Sequence, residues 1–171
     1  MNTTLRFALF SVLMLSLAAC TKQTKAPEPE PEPYVPPAPV ETPVVDDGRY
    51  SPEDLDTDSC LRQRVVYFDF DQDALKPEFT AIIGCHAKYL QDRPSARITL
   101  EGNADERGTR EYNHALGERR GNAVSSAVQA SGGSGSQLNV VSYGEERPVC
   151  TSSNESCWSQ NRRVEIVYTA K

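Results

Sequence analysis

A chain of 171 residues, 38% of them hydrophobic and 25% charged, has room for one modest domain with extended ends. Its formal net charge of −6 and the lack of any basic stripe weigh against nucleic acid as a partner, because nothing is there to neutralise phosphates. Acidity by itself names no partner.

Residues 1–19 read as an export signal. Arg6 and the amino terminus supply the positive start, Phe7 to Leu17 form a nearly unbroken apolar run, and Ala18-Ala19 close it with small residues. The run is too short to span a bilayer as a permanent helix. Leu17-Ala18-Ala19-Cys20 resembles the lipobox of bacterial lipoproteins, which implies that Cys20 is lipidated, palmitate being the typical chain. Each buried CH₂ contributes about 0.8 kcal/mol, so more than one chain makes such an anchor stable. Thr21 rather than Asp follows the cysteine, and by the same resemblance this permits sorting to the outer membrane, with the rest of the chain in the periplasm.

Residues 20–58 are expected to form a disordered tether behind the lipidated cysteine. Pro27-Glu28-Pro29-Glu30-Pro31-Glu32-Pro33, then Pro36, Pro37, Pro39 and Pro43, leave few backbone donors and many fixed φ angles. The glutamates repel one another. At about 3.1 Å per residue, thirty such residues reach on the order of 90 Å at full extension. The folded domain is expected over residues 59–171.

Four further cysteines, Cys60, Cys85, Cys150 and Cys157, allow three pairings in an oxidising compartment. Cys150 and Cys157 bracket a short loop, which favours that pair and leaves Cys60 with Cys85. A zinc site is the rival, but no two of them stand at the close spacing of a structural zinc motif.

Val65 to Phe68 predicts a buried strand. Lys76-Pro77-Glu78 opens a helix, with proline in its first turn. Phe79, Ile82, Ile83, His86, Ala87 and Leu90 recur on one face of that helix, so His86 is expected to be a packed core histidine. Arg97 to Gly102 alternates as a second strand. Thr109 then caps a long helix that runs to about Ala130 and stops in Ser131-Gly132-Gly133-Ser134-Gly135. Leu138 to Tyr143 and Arg163 to Thr169 predict two more strands, with a short helix around Trp158 between them. The order βαβαββ predicts an α/β fold, a two-layer sandwich with helices packed on a mixed four-stranded sheet.

The segment from Glu101 to Asn113 sits where a strand turns into a helix, a place that offers unpaired backbone N–H groups to ligands. On the helix that follows, Asn113, Leu116, Gly117, Arg120 and Val124 share one face, and a guanidinium on such an apolar stripe requires a partner.

Ala104-Asp105-Glu106-Arg107-Gly108-Thr109, Glu111-Tyr112-Asn113, Leu116-Gly117-Glu118-Arg119-Arg120, Val141-Ser142-Tyr143-Gly144 and Asn161-Arg162-Arg163 together resemble the OmpA-like C-terminal domain family. Within that family they look like the peptidoglycan-associated lipoproteins. The resemblance spans roughly Val65 to Tyr168. It implies the OmpA-like sandwich and non-covalent binding of peptidoglycan through the diaminopimelate of its stem peptide, linking outer membrane to wall. It implies partners among the Tol proteins, TolB in particular, and a part in envelope integrity and cell division.

Carried over by motif, Asp105 accepts from the ligand's ammonium and Arg120 forks onto its carboxylate, a pairing that suits both groups. Asn113 adds a neutral hydrogen bond, backbone groups of Phe68 and Asp69 line the site, and Arg162 or Arg163 supplies further carboxylate contact. Gly121 follows Arg120 where the pattern has alanine, at a helix cost of about 1 kcal/mol.

Other readings compete. Asp105 and Arg120 could bridge each other as a structural ion pair, and the chain could be an envelope lipoprotein that touches only proteins. Val65 to Asp73 ends in Asp69-Phe70-Asp71, which is similar to the nucleophile motif of haloacid-dehalogenase phosphatases, but a later lysine and paired acidic motif are missing. As a calcium loop it has Ala74 at the sixth position and Thr80 at the twelfth, where Gly and Glu belong. With only His86 and His114 available, no serine or cysteine has a persuasive base, so the expectation is a binding protein without catalysis, cofactor or metal.

Overall fold

A computed structural model describes residues 48–171. The expected export signal, the lipidated Cys20 and the proline-rich stretch through Pro43 lie outside the described residues.

Four strands, β1 (Val65–Tyr67), β2 (Arg97–Asn103), β3 (Leu138–Gly144) and β4 (Arg163–Ala170), form one mixed sheet in the order β1-β4-β2-β3. β2 and β3 are parallel, while β4 runs antiparallel to both β1 and β2. The α/β two-layer sandwich is therefore present. Helices α2 (Thr80–Asp92, behind a 3-10 turn at Pro77–Phe79) and α3 (Arg110–Ala130) bury their apolar stripes on the sheet. Ile83, Ala87 and Leu90 from α2 and Val124 and Val128 from α3 meet Val66, Ile98, Leu100, Val164 and Ile166. Removing this much apolar surface from water is the main term holding the fold. Cys60 is joined to Cys85 and Cys150 to Cys157.

One boundary differs from expectation. A four-residue helix α1 (Asp54–Thr57) precedes β1, and its Leu55 is wholly buried in the core. Tyr50 is fixed to the end of α2, donating from its backbone to Asp92 at 2.9 Å and accepting from Arg93 at 2.7 Å. Packed structure is thus present from Tyr50 onward, within the stretch expected as tether. A lone leucine among aspartates carries no periodicity, so the sequence has no signal there. Between β3 and β4 lies α4 (Glu155–Asn161), started by Asn154, whose side chain accepts from the Cys157 N–H at 3.1 Å.

α3 lies unusually close to the sheet, and glycines allow it. A Cβ on Gly102 of β2 would fall 2.6 Å from the Gly117 carbonyl carbon and nearer still to its oxygen. A Cβ on Gly121 would meet the Val140 side chain at 2.5 Å, which is why alanine does not stand there. Gly102→Ala must push α3 off the sheet, so it is expected to cost about 3 kcal/mol, read as a lower urea midpoint.

His86 is fully buried, as the apolar stripe implied. Its Nε2 faces the Gln63 carbonyl at 3.0 Å, which can only accept, so Nε2 carries the proton and Nδ1 accepts from the Tyr168 hydroxyl at 2.7 Å. Burial pushes its pKa below the ordinary 6.5, against the pull of the Gln63 carbonyl. The unfolded chain therefore binds a proton that the folded one refuses. Stability is expected to fall as pH drops below 6.5, by up to about 1.4 kcal/mol per unit from this group. His86→Gln keeps one donor and one acceptor, and urea titrations across pH should show that share of the acid slope missing.

Candidate functional site

The loop after β2, the first turns of α3 and the segment after β1 surround a cavity of about 220 Å³. Asp105 enters from the loop that Gly108 turns at a φ of +122°, a backbone region open to glycine. Thr109 then starts α3 by accepting from the Tyr112 N–H at 3.2 Å. Asn113, Leu116 and Arg120, on one face of that helix, complete the inner wall together with Asp105. The outer wall is Phe70 and Asp71 from the segment after β1, with Arg107, Gly108 and Tyr112.

Asp105 and Arg120 do not pair with each other. Arg120 is wholly buried and spends its donors on carbonyls: Nε on Gln72 at 2.8 Å, Nη1 on Asn103 at 2.9 Å and Nη2 on Asp69 at 3.1 Å. Its guanidinium lies 5.3 Å from the centre of the Phe68 ring. Among the described residues no carboxylate comes within ion-pair distance of it. Burial lowers its pKa to about 10, with the Asp105 charge opposing that shift, so it stays a cation at neutral pH.

Asp105, only 4% exposed, is held by other arginines. Arg107 grips it through Nε at 3.1 Å and Nη2 at 2.7 Å, and Arg162 reaches it at 3.2 Å. Burial pulls the Asp105 pKa upward, yet the hydrogen bonds from Arg107 and Arg162 outweigh it and hold the carboxyl below its ordinary 3.8. Arg107 itself is sandwiched, 3.9 Å from the Phe70 ring centre and 4.2 Å from that of Trp158.

The remaining expected residues divide. Asn113 is buried in the wall and donates to Glu145. The Asp69 carbonyl supports Arg120, but its carboxylate is turned away to Lys76 at 2.8 Å. Phe68 does not line the cavity: its N–H donates to the Arg162 carbonyl and its own carbonyl accepts from the Arg162 side chain. Arg162 stands behind Asp105 and is also tied to Glu155 at 2.6 Å, so it orients the acid rather than facing the opening. Arg163, the first residue of β4, makes no ion pair with Asp105: its side chain is bound to Glu165 and to the carbonyls of Asn161 and Arg147.

Sequence reasoning gave Phe70, Asp71, Arg107 and Tyr112 no part in the ligand site. Asp71 sits at a φ of 56°, strained for a residue with a side chain, and accepts from the Tyr112 hydroxyl. Asp69, Asp71 and Asp73 go to Lys76, Tyr112 and Arg119 respectively, so the acidic run after β1 does not converge on one point.

Residues 67–162 match the OmpA family. The chain is 51% identical to the peptidoglycan-associated lipoprotein of Pseudomonas putida over 66% of its own length and 68% of that protein. It is 53% identical to the one from Pseudomonas aeruginosa, over 66% and 67%. The crystal structure of the peptidoglycan-associated lipoprotein from Burkholderia pseudomallei superposes with a TM-score of 0.65 at 44% identity, covering 66% of this chain and 96% of that one.

Proposed function

The chain belongs to the OmpA family and, within it, to the peptidoglycan-associated lipoproteins; from that premise we propose that it clamps the diaminopimelate of peptidoglycan between Asp105 and Arg120. One observation carries the reading. A wholly buried guanidinium borders a cavity, keeps its charge and has only carbonyls as hydrogen-bond partners. Three of its N–H groups are spent on them, and a guanidinium has five. Desolvating a cation is expensive, and a carboxylate that enters the cavity offsets that cost. The free end of diaminopimelate bears an ammonium and a carboxylate on one carbon. The carboxylate goes to Arg120 and the ammonium to Asp105, with Asn113 alongside.

The rest of the proposal is mechanical. Lipid on Cys20 holds the outer membrane, residues 21 to about 49 bridge the gap, and the domain grips the wall without cutting it. Such proteins work with TolB and the other Tol proteins, so a share in envelope integrity and division belongs to the same reading.

The alternative is a lipoprotein that touches only proteins. Sedimentation with purified sacculi separates the two. The chain is expected to pellet with diaminopimelate-type sacculi and to bind lysine-type sacculi about a hundredfold less, since lysine lacks the second carboxylate. Equal retention on both wall types, or on neither, contradicts the proposed recognition.

A further inference from the structure

We infer that Arg107 is an internal competitor for the ligand: its guanidinium occupies the place on Asp105 that the ligand's ammonium takes, and binding displaces it. The inference rests on the diaminopimelate reading above.

A carboxylate offers about four acceptor directions, two on each oxygen. On Asp105 all four are filled. Oδ1 accepts from the Arg107 backbone N–H at 3.1 Å and from Arg107 Nε at 3.1 Å. Oδ2 accepts from Arg107 Nη2 at 2.7 Å and from Arg162 Nη1 at 3.2 Å. An arriving ammonium finds no vacant lone pair, so a resident donor must leave.

The geometry points to which one. The backbone N–H belongs to the turn itself. Arg162 is 5% exposed and is tied at two further points, the Phe68 carbonyl and Glu155. The Arg107 side chain is 29% exposed and lines the cavity. It also has somewhere to go, because Glu155 Oε2 already stands 3.5 Å from its Nη1. Swinging outward, it exchanges Asp105 for Glu155 and keeps a charge partner throughout. The stack of Phe70 and Trp158 around it is then opened or rearranged.

The exchange has a thermodynamic signature. A ligand that offers only an ammonium replaces one cation on Asp105 by another and gains little. A ligand that also brings a carboxylate gains Arg120 in addition. Displacement costs both ligands the same, because it happens before either is distinguished. Arg107 therefore lowers the affinity for every ammonium-bearing ligand by one common factor. It leaves the ratio between diaminopimelate and lysine untouched.

Trp158 is the chain's single tryptophan, so its fluorescence reports the position of Arg107. The test titrates the full chain with a stem peptide carrying diaminopimelate and with one carrying lysine at the same position. In the wild type, the diaminopimelate peptide is expected to change Trp158 emission. In Arg107→Leu both affinities are expected to rise about fivefold to tenfold, by the same factor, while the ligand-induced emission change disappears. Arg107→Lys, which keeps the charge but loses the fork, should fall between the two. If Arg107→Leu weakens the diaminopimelate peptide alone, Arg107 serves the ligand's carboxylate and the inference is wrong. Unchanged affinities for both peptides overturn it equally. Should the wild type bind neither peptide, the diaminopimelate reading fails first and this inference with it.

Discussion

Arg120→Ala is expected to abolish retention on diaminopimelate-type sacculi and also to destabilise the domain by about 3 kcal/mol or more. The second effect follows from what Arg120 touches. Its side chain fastens the Asp69 and Gln72 carbonyls of the segment after β1, and the Asn103 carbonyl of β2, to α3. Truncation strands three buried or half-buried acceptors and leaves a cavity, each a recognised source of large losses. Sacculus binding by Arg120→Ala alone therefore mixes two causes. Arg120→Lys separates them. Lysine keeps a cation and reaches at least one carbonyl, so most of the fold's stability should survive, whereas the planar two-point grip on a carboxylate is gone. A loss of about thirtyfold or more in affinity, with urea stability within about 1.5 kcal/mol of wild type, is the expected result for Arg120→Lys. Undiminished binding by that variant would remove Arg120 from the site.

Asp105→Asn is expected to weaken the same binding about a hundredfold. The amide has nearly the shape of the carboxylate, but it leaves Arg107 and Arg162 facing each other without the charge between them. It also offers the ligand's ammonium a neutral acceptor in place of an anion. The pH dependence follows from the sign of the shift. Because Asp105 titrates below its ordinary 3.8 in the folded chain, its stabilising contribution is complete above that value and is lost only as pH falls through the lower, folded value. Binding that depends on this carboxylate should accordingly hold level from neutral pH down to the region of ordinary carboxylates. A midpoint near pH 6 would assign it to another group. Measuring affinity across pH for wild type and Asp105→Asn checks both statements.

The central wall of the site was legible because it is local. Thr109 announces the start of α3, the glycines after Ala130 its end, and the helical spacing puts Asn113, Leu116 and Arg120 on one face. Asp105 lies one loop away from that helix. Two residues of the outer wall were not legible, because they arrive from far along the chain. Phe70 and Asp71 reach the cavity only through the sheet order β1-β4-β2-β3, which no local pattern encodes. The same holds for Arg162 and Arg163. Their adjacency was visible, but which one points toward Asp105 depends on how the chain enters β4, whose register pairs Arg163 with Tyr67. Leu55 was missed for a different reason. Four residues of helix with one buried side chain leave no periodicity to find. The expectation that Asp105 and Arg120 either meet each other or share a ligand posed too narrow a choice, since buried charges can also be satisfied by carbonyls and by third parties such as Arg107.

The most direct test is a crystal structure of the chain soaked with a diaminopimelate-containing stem peptide. The terminal ammonium is expected within hydrogen-bond distance of Asp105, the adjacent carboxylate on the free N–H groups of Arg120, and the Arg107 side chain moved off the acid. A peptide bound with that end elsewhere on the surface, Asp105 still gripped by Arg107 and Arg120 untouched, would contradict the proposed clamp.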